Sequence, residues 1–100
     1  MRVEIFNIKQ EEEIFDKFAF MSTRMIGGKD KVNKDNYRSC GIGEISGKGL
    51  DDVFSLLNTT RPIWYDGHSL SVSDVVRLID EDKYFFCEPF GWTDVSFAFR

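Results

Sequence analysis

The chain of 100 residues is 42% hydrophobic, which is enough for one globular core, and it is too short for two domains of ordinary size. No apolar run approaches the ~20 residues of a membrane span. Glu4 interrupts the apolar start, which is not typical of a signal peptide. Residues 1–100 are therefore expected to form a single cytoplasmic domain.

The net charge of −4 is unevenly distributed along the chain. Residues 24–38 carry five basic and two acidic side chains, whereas residues 49–100 carry nine acidic and four basic ones. An acidic protein is a poor ligand for the nucleic-acid backbone, but a basic loop on an acidic body leaves that function open. The five basic residues of the loop are Arg24, Lys29, Lys31, Lys34 and Arg38.

The N-terminal third predicts a strand followed by a helix. In residues 2–8 apolar side chains occupy both odd-numbered and even-numbered positions, which indicates a bulge or a strand covered on both faces. Apolar residues then recur at helical spacing from residue 14 to residue 26. They predict one amphipathic helix of about four turns that ends at Gly27-Gly28. Phe20 lies off this apolar stripe and is expected to point away from the core.

The middle of the chain predicts a loop, a strand and a second helix. Residues 27–36 are polar and loop-like, and residues 37–45 predict a weaker strand because Gly41 and Gly43 thin it. From residue 50 onwards, apolar residues at i, i+3, i+4 and i+7 define one face of a helix.

The last third predicts three strands. Two β-rich runs flank the acidic tripeptide 80–82 and are typical of an antiparallel hairpin. Val95, Phe97 and Phe99 alternate with small residues and predict a final strand. The order β-α-β-α-β-β-β defines an α+β fold, in which two helices pack on one mostly antiparallel, curled sheet.

The only histidine lies in a cluster of polar residues that invites a catalytic interpretation. This cluster comprises His68, Ser69, Ser71, Ser73 and Asp74. Nucleophilic catalysis needs a nucleophile, a base and an orienting acid that converge in space, whereas all these residues belong to one short segment. The spacing favours side chains that bond the backbone of a tight turn, so no catalytic residue is assigned.

The two cysteines are expected to be reduced thiols, at least half buried in strands. Cys40, His68 and Cys87 lack the spacing of zinc ligands, and a fourth ligand is missing. No metal or other cofactor is therefore expected.

Aromatic residues are in excess in the C-terminal 37 residues, which hold nine of the fifteen. Two helices cover only one face of a small sheet. Either the sheet curls so that aromatics fill both sides, or one face is exposed to a partner, and the second alternative is favoured. The predicted interaction surface comprises the aromatic residues Trp64, Tyr84 and Trp92 with an acidic rim of Asp80, Glu81 and Asp82.

Several segments between residues 49 and 95 carry a resemblance to a known family. They are Gly49-Leu50-Asp51-Asp52-Val53-Phe54, Leu57-Asn58, Arg61-Pro62, the run GHSLSVSDVV at 67–76, and Phe90-Gly91-Trp92-Thr93-Asp94-Val95. This pattern resembles the YodL-like domain family, most specifically at GHSLSVSDVV. The chain departs from the family at Pro89, where Ser is frequent, and at Trp92, where Phe is frequent. The resemblance implies an origin in phages, prophages or conjugative elements of Firmicutes and no established enzymatic activity.

Two functions are compatible with these patterns. The leading hypothesis is a small non-enzymatic protein-binding module that inhibits a host defence protein, of the anti-CRISPR or anti-restriction type, through its aromatic and acidic surface. Acidic side chains can take the place of phosphates in a nucleic-acid channel, although they are equally typical of a solubilising surface. The alternative is a nucleic-acid-binding accessory protein that uses the basic loop 24–38 and stacks aromatics on bases. A homodimer remains open, and no membrane association is expected.

Overall fold

An antiparallel sheet of five strands forms the centre of the computed structural model, which describes residues 1–99. The strands are β1 (Arg2–Ile8), β2 (Tyr37–Glu44), β3 (Val75–Leu78), β4 (Lys83–Cys87) and β5 (Trp92–Asp94). Their spatial order is β2-β1-β3-β4-β5. The helices are α1 (Glu12–Phe18), α2 (Leu50–Thr59) and α3 (Ser96–Phe99). The predicted α+β class is confirmed.

Both faces of the sheet are covered, so the expectation of one uncovered face is wrong. Successive residues of β1 point to opposite faces. Ile5 packs in a core with Val53 of α2, whereas Phe6 packs in a second core with Phe99 of α3, at a ring-centroid distance of 4.9 Å. Phe15 of α1 packs against this second core. The third helix, which the sequence analysis did not predict, supplies part of the missing cover.

A β-bulge in β2 accompanies this two-sided packing of β1. Ile5 pairs with Gly41 and Phe6 pairs with Ser39, so that Cys40 is the extra residue. Of the two alternatives suggested by the mixed parity of residues 2–8, the cover on both faces is confirmed for β1, whereas the bulge lies in its partner strand β2. Cys40 and Cys87 are buried in β2 and β4 as predicted, and their sulfurs are not bonded to each other.

The first helix ends at Phe18, well before the predicted end at Gly27-Gly28. Ala19 has an extended backbone with φ of −65° and ψ of 136°, and Phe20 has a left-handed one with φ of 63°, so the chain leaves the helical conformation after Phe18. The N–H of Phe20 donates to Ser73 Oγ at 3.1 Å, and the N–H of Thr23 donates to the carboxylate of Glu88 at 3.0 Å. These long-range bonds replace helical ones. Phe20 is exposed, as its position off the stripe predicted.

The predicted final strand is wrong, because Ser96–Phe99 form the short helix α3. Asp94 Oδ1 accepts hydrogen bonds from the N–H of Ser96, at 2.9 Å, and from its hydroxyl, at 2.6 Å. Ser96 Oγ in turn accepts from the N–H of Tyr84 at 2.8 Å. A side chain therefore pairs with this backbone donor of β4, where the backbone of a neighbouring strand was expected. Val95 and Phe99 share a face in a helix as well, and both are buried.

The remaining predicted elements are present. The strand at 37–45, the helix from residue 50 and the hairpin around 80–82 match β2, α2 and the pair β3–β4. The loop 27–36 contains two 3₁₀ turns, Lys29–Lys31 and Lys34–Asn36.

Candidate functional site

The GHSLSVSD segment forms a turn whose side chains bond its own backbone. His68 Nδ1 donates to the carbonyl of Ser69 at 2.6 Å, which is the kind of contact expected for a structural histidine. Ser71 Oγ donates to the same carbonyl at 2.9 Å, and its N–H donates to Asp74 Oδ2 at 2.8 Å. Neither hydroxyl of Ser69 or Ser71 forms a hydrogen bond with the His68 ring within residues 1–99.

Ser73 connects this turn to two distant parts of the chain. It has a positive φ of 86° and is buried. Its carbonyl accepts from the hydroxyl of Tyr37 at 2.6 Å, and its side chain accepts from the N–H of Phe20. The turn therefore sets the position of the segment that follows α1.

A buried polar network lies beneath the turn, and sequence reasoning found only part of it. Asp74 is almost fully buried, and His68 Nδ1 lies 3.8 Å from its carboxylate. Burial raises the pKa of Asp74 to about 8, against hydrogen bonds from the Ser71 backbone and the Asn7 side chain. Asn7 was missed, although an Asn between the apolar residues of β1 was a usable signal. The side-chain oxygen of Asn7, Oδ1, accepts a hydrogen bond from the Cys40 thiol at 3.2 Å.

Tyr65 completes the network from the segment after α2. Its hydroxyl donates to the carbonyl of His68 and lies 3.4 Å from Asn7 Oδ1. Burial raises the pKa of Tyr65 to about 12, so the phenol stays protonated as a donor. The turn is thereby fixed to β1 through two uncharged side chains, those of Asn7 and Tyr65.

The predicted aromatic surface is divided between the two faces of the sheet. Tyr84 is 8% exposed and packs with Phe6 and Phe99, so its proposed place on an exposed surface is wrong. Trp64 and Trp92 are half-buried and pack against the opposite core, under α2. A single patch that contains all three aromatics does not exist, because alternate strand residues point to opposite faces.

The acidic rim is divided in the same way. Asp82 accepts two hydrogen bonds from Arg77, the shorter at 3.0 Å, and the Arg77 guanidinium lies over the Tyr84 ring. Asp80 and Glu81 line a different groove beside the chain's first residues. The hairpin tip is thus exposed but does not surround either tryptophan.

The five cations of the alternative nucleic-acid site lie in several surroundings. Lys29 Nζ lies 5.7 Å from the centroid of the Phe97 ring, and Lys31 borders a small cavity beside Phe18. Lys34 lines a groove on the side of the sheet that holds Tyr84. Arg38 instead lines a groove beside His68, and its guanidinium pairs with Asp66 at 3.6 Å. Arg24 is exposed.

One cleft combines exposed aromatic and acidic side chains, and we name it the Phe54–Trp92 cleft. It has a volume of about 170 Å³, and it is lined by Asp51, Phe54, Cys87, Glu88, Pro89, Gly91 and Trp92. The two rings meet edge to face at a centroid distance of 6.5 Å. Trp92 Nε1 donates to Asp51 Oδ1 at 3.3 Å. Phe90, between two lining residues, is 97% exposed.

Glu88 forms the inner wall of this cleft. Its carboxylate accepts from the backbone and the hydroxyl of Thr23 and, at 2.7 Å, from the Thr93 hydroxyl. These hydrogen bonds hold the pKa of Glu88 below its usual value, although partial burial opposes them. Glu88 therefore supports the cleft, whereas Asp51 carries the acid at its mouth.

Two kinds of site are absent from residues 1–99. No group of three or more His, Cys, Asp or Glu side chains is arranged to hold a metal ion. In the same part of the chain, no helix has the length and apolar character needed to cross a membrane.

The segment 67–76, which leads into β3 and accepts a hydrogen bond at the Leu70 carbonyl from Asn58 of α2 at 3.2 Å, carried the most specific part of the family resemblance. A family model described as YodL-like domain matches residues 2–97. The chain belongs to the YodL-like domain family. Searches of curated proteins and of solved structures returned no significant match for this YodL-like chain. The family assignment extends over the whole sheet, α1, α2 and the first two residues of α3, well beyond the motifs at 49–95.

Proposed function

We propose that this YodL-like domain is a non-catalytic protein-binding module of a phage or mobile element, directed at a host defence protein. It engages its partner through the Phe54–Trp92 cleft. The observation that supports this proposal is the pair of rings Phe54 and Trp92, which share one cleft with the Asp51 carboxylate. Phe54 is 39% exposed, and Phe90, next in sequence to the lining residues Pro89 and Gly91, is 97% exposed.

The cleft suits an apolar side chain of the partner with a cation beside it. A cavity of about 150 Å³ accepts a molecule of the size of benzene, so a cleft of about 170 Å³ has room for one large side chain. Aromatic anchors with a charged rim are typical of binding hot spots, where the rings supply affinity and the charges supply orientation. Asp51 and Asp52 in the first turn of α2 favour a basic partner surface.

The non-catalytic part of the proposal is supported by how the polar turn residues are used. His68 and Ser71 are bonded to the backbone, and Asp74 is buried beneath them. A hydrolytic triad needs its nucleophile in hydrogen-bond contact with its base, and this turn lacks such a contact within residues 1–99.

Affinity capture from a bacterial host lysate tests the binding surface. The wild type is compared with Phe54→Ala, and Ile63→Ala serves as the matched control because Ile63 is fully exposed outside the cleft. A protein retained by the wild type and by Ile63→Ala, but lost with Phe54→Ala, is the expected result. Equal retention by all three folded proteins contradicts the cleft as the interface.

Plasmid transformation tests the defence target. Hosts with an active restriction or CRISPR system are compared with and without expression of the domain. We expect higher transformation with the wild type and no increase with Phe54→Ala. An unchanged efficiency with both systems rejects this class of target, whatever the capture experiment shows.

Nucleic-acid binding through loop 24–38 is the less supported function, because Lys34 and Arg38 line separate grooves. Binding to a generic oligonucleotide that weakens steeply with salt, and that persists in Phe54→Ala, favours it instead.

A further inference from the structure

A groove beside the His68 turn is distinct from the Phe54–Trp92 cleft and has a different chemistry. Its volume is about 410 Å³, and its polar lining includes Asn7, Gln10, Arg38, Arg61, Asp66 and His68. We propose that this groove binds a small phosphorylated molecule, with Arg38 and Arg61 as the ligands of the phosphate group.

The local charge favours an anion. Two guanidinium groups and one carboxylate line the groove, whereas the whole chain has a net charge of −4. The Asp66 side chain is 96% exposed, so its carboxylate can turn towards water when an anion approaches. Two guanidiniums match a phosphate monoester, which carries about −1.5 to −2 at neutral pH, better than they match a single carboxylate.

Hydrogen bonds hold two of the polar side chains of the groove, Arg38 and His68. Arg38 Nη2 donates to the backbone carbonyl of Asp66 at 2.9 Å, which orients the guanidinium. Because His68 Nδ1 donates to the carbonyl of Ser69, Nε2 is the ring nitrogen left to face a ligand.

The wall and size of the groove fit a small ligand. Asn7 is 2% exposed and is held by the Cys40 thiol and the Tyr65 hydroxyl, so this part of the wall does not need to order on binding. A volume of about 410 Å³ lies within the range of small-molecule sites, about 300–1,000 Å³. A phosphate group with one sugar ring is therefore a suitable probe.

Titration with ribose 5-phosphate at constant ionic strength, followed by backbone amide NMR, tests this site. We expect saturable shifts centred on Arg38, Gly67 and His68, and none with ribose. Arg61→Gln is expected to bind about tenfold more weakly, the change that corresponds to the loss of one charge-assisted hydrogen bond. Arg24→Gln, an equal change of charge at an exposed residue outside the groove lining, is the matched control and should bind like the wild type.

The source of the phosphate is resolved by a second titration with inorganic phosphate. Equal affinities assign recognition to the phosphate group alone, and tighter binding of the sugar phosphate assigns part of it to the neighbouring groove wall. Both outcomes support the site. The absence of saturable shifts, or an equal loss of affinity in Arg61→Gln and Arg24→Gln, overturns it. Neither result bears on the Phe54–Trp92 cleft.

Discussion

The indole of Trp64 lies against Gly43 of β2, and a β-carbon at residue 43 would overlap ring atoms Cδ2 and Cε2. Gly41, two residues earlier, has the carbonyl of Trp64 at the place of its missing side chain. The glycines that thin this strand in the sequence therefore make room for a tryptophan that covers the sheet from outside it. Substitution at residue 43 must displace either the ring or the strand.

Gly43→Ala is expected to destabilise the fold by about 1–3 kcal/mol, the usual cost of overpacking. Chemical denaturation gives the free energy of unfolding, and a red shift of tryptophan emission reports displacement of the Trp64 ring. Gly49→Ala is the control, because nothing lies within 4 Å of a β-carbon there and its φ of −164° is extended. A Gly43→Ala variant as stable as Gly49→Ala contradicts this packing.

The buried carboxyl of Asp74 predicts a pH-dependent stability. Its pKa is about 8 in the folded state and about 3.9 in the unfolded state, so the folded chain binds more protons between these values. This group's contribution is complete below about pH 4 and is lost as the pH rises towards 8. The free energy of unfolding should therefore fall between about pH 5 and pH 8.

Asp74→Asn removes the titrating group at nearly constant shape and should flatten this pH profile, measured by urea unfolding at several pH values. Asp66→Asn, at an exposed carboxyl, should keep the wild-type slope. Glu88, whose pKa is lowered, acts at more acidic pH, outside the measured window. A profile that keeps its slope in Asp74→Asn assigns the pH dependence to another group.

His68→Ala is expected to cost about 1 kcal/mol of stability, because the hydrogen bond from Nδ1 to the carbonyl of Ser69 is lost. Capture of a protein partner through the Phe54–Trp92 cleft should not change in the folded variant. Thermal unfolding and the capture experiment measure the two effects. Ser69→Ala keeps the accepting carbonyl and should retain wild-type stability.

The two thiols are expected to react slowly in the folded protein. Burial raises the pKa of Cys87 to about 12, and burial raises the pKa of Cys40 as well. Since the thiolate is the reactive form, modification by a thiol reagent should be at least ~100-fold slower in buffer than in urea. Rapid reaction of both cysteines without denaturant would show that these strands are open to solvent.

Local patterns in the sequence determined several elements of this protein. The apolar spacing of α2 and the β3–β4 hairpin depend on residues close in the chain, and both lie where they were predicted. The polar turn at 68–74 was predicted for the same reason: its hydrogen bonds join residues only a few positions apart. The apolar residues at both odd and even positions of β1 correctly predicted packing on both faces of the sheet.

Only the tertiary structure decided where α1 ends and what residues 95–99 become. The apolar stripe of the first helix continues past Phe18, but the bonds that end the helix come from Ser73 and Glu88, far along the chain. Likewise, Val95 and Phe99 are two buried positions compatible with a strand or a helix. The hydrogen bond that the Ser96 hydroxyl donates to Asp94 and the one that it accepts from the N–H of Tyr84 favour the helix.

The location of the candidate surfaces also depended on tertiary structure. Tyr84 and Trp92 are close in sequence, but their side chains point to opposite faces of the sheet, and the expected single patch does not form. Phe54 and Trp92 are distant in sequence and meet edge to face, because the start of α2 lies beside β5. Composition shows how many aromatics a chain carries. Which of them share a surface is determined by long-range packing, which leaves no local trace in the sequence.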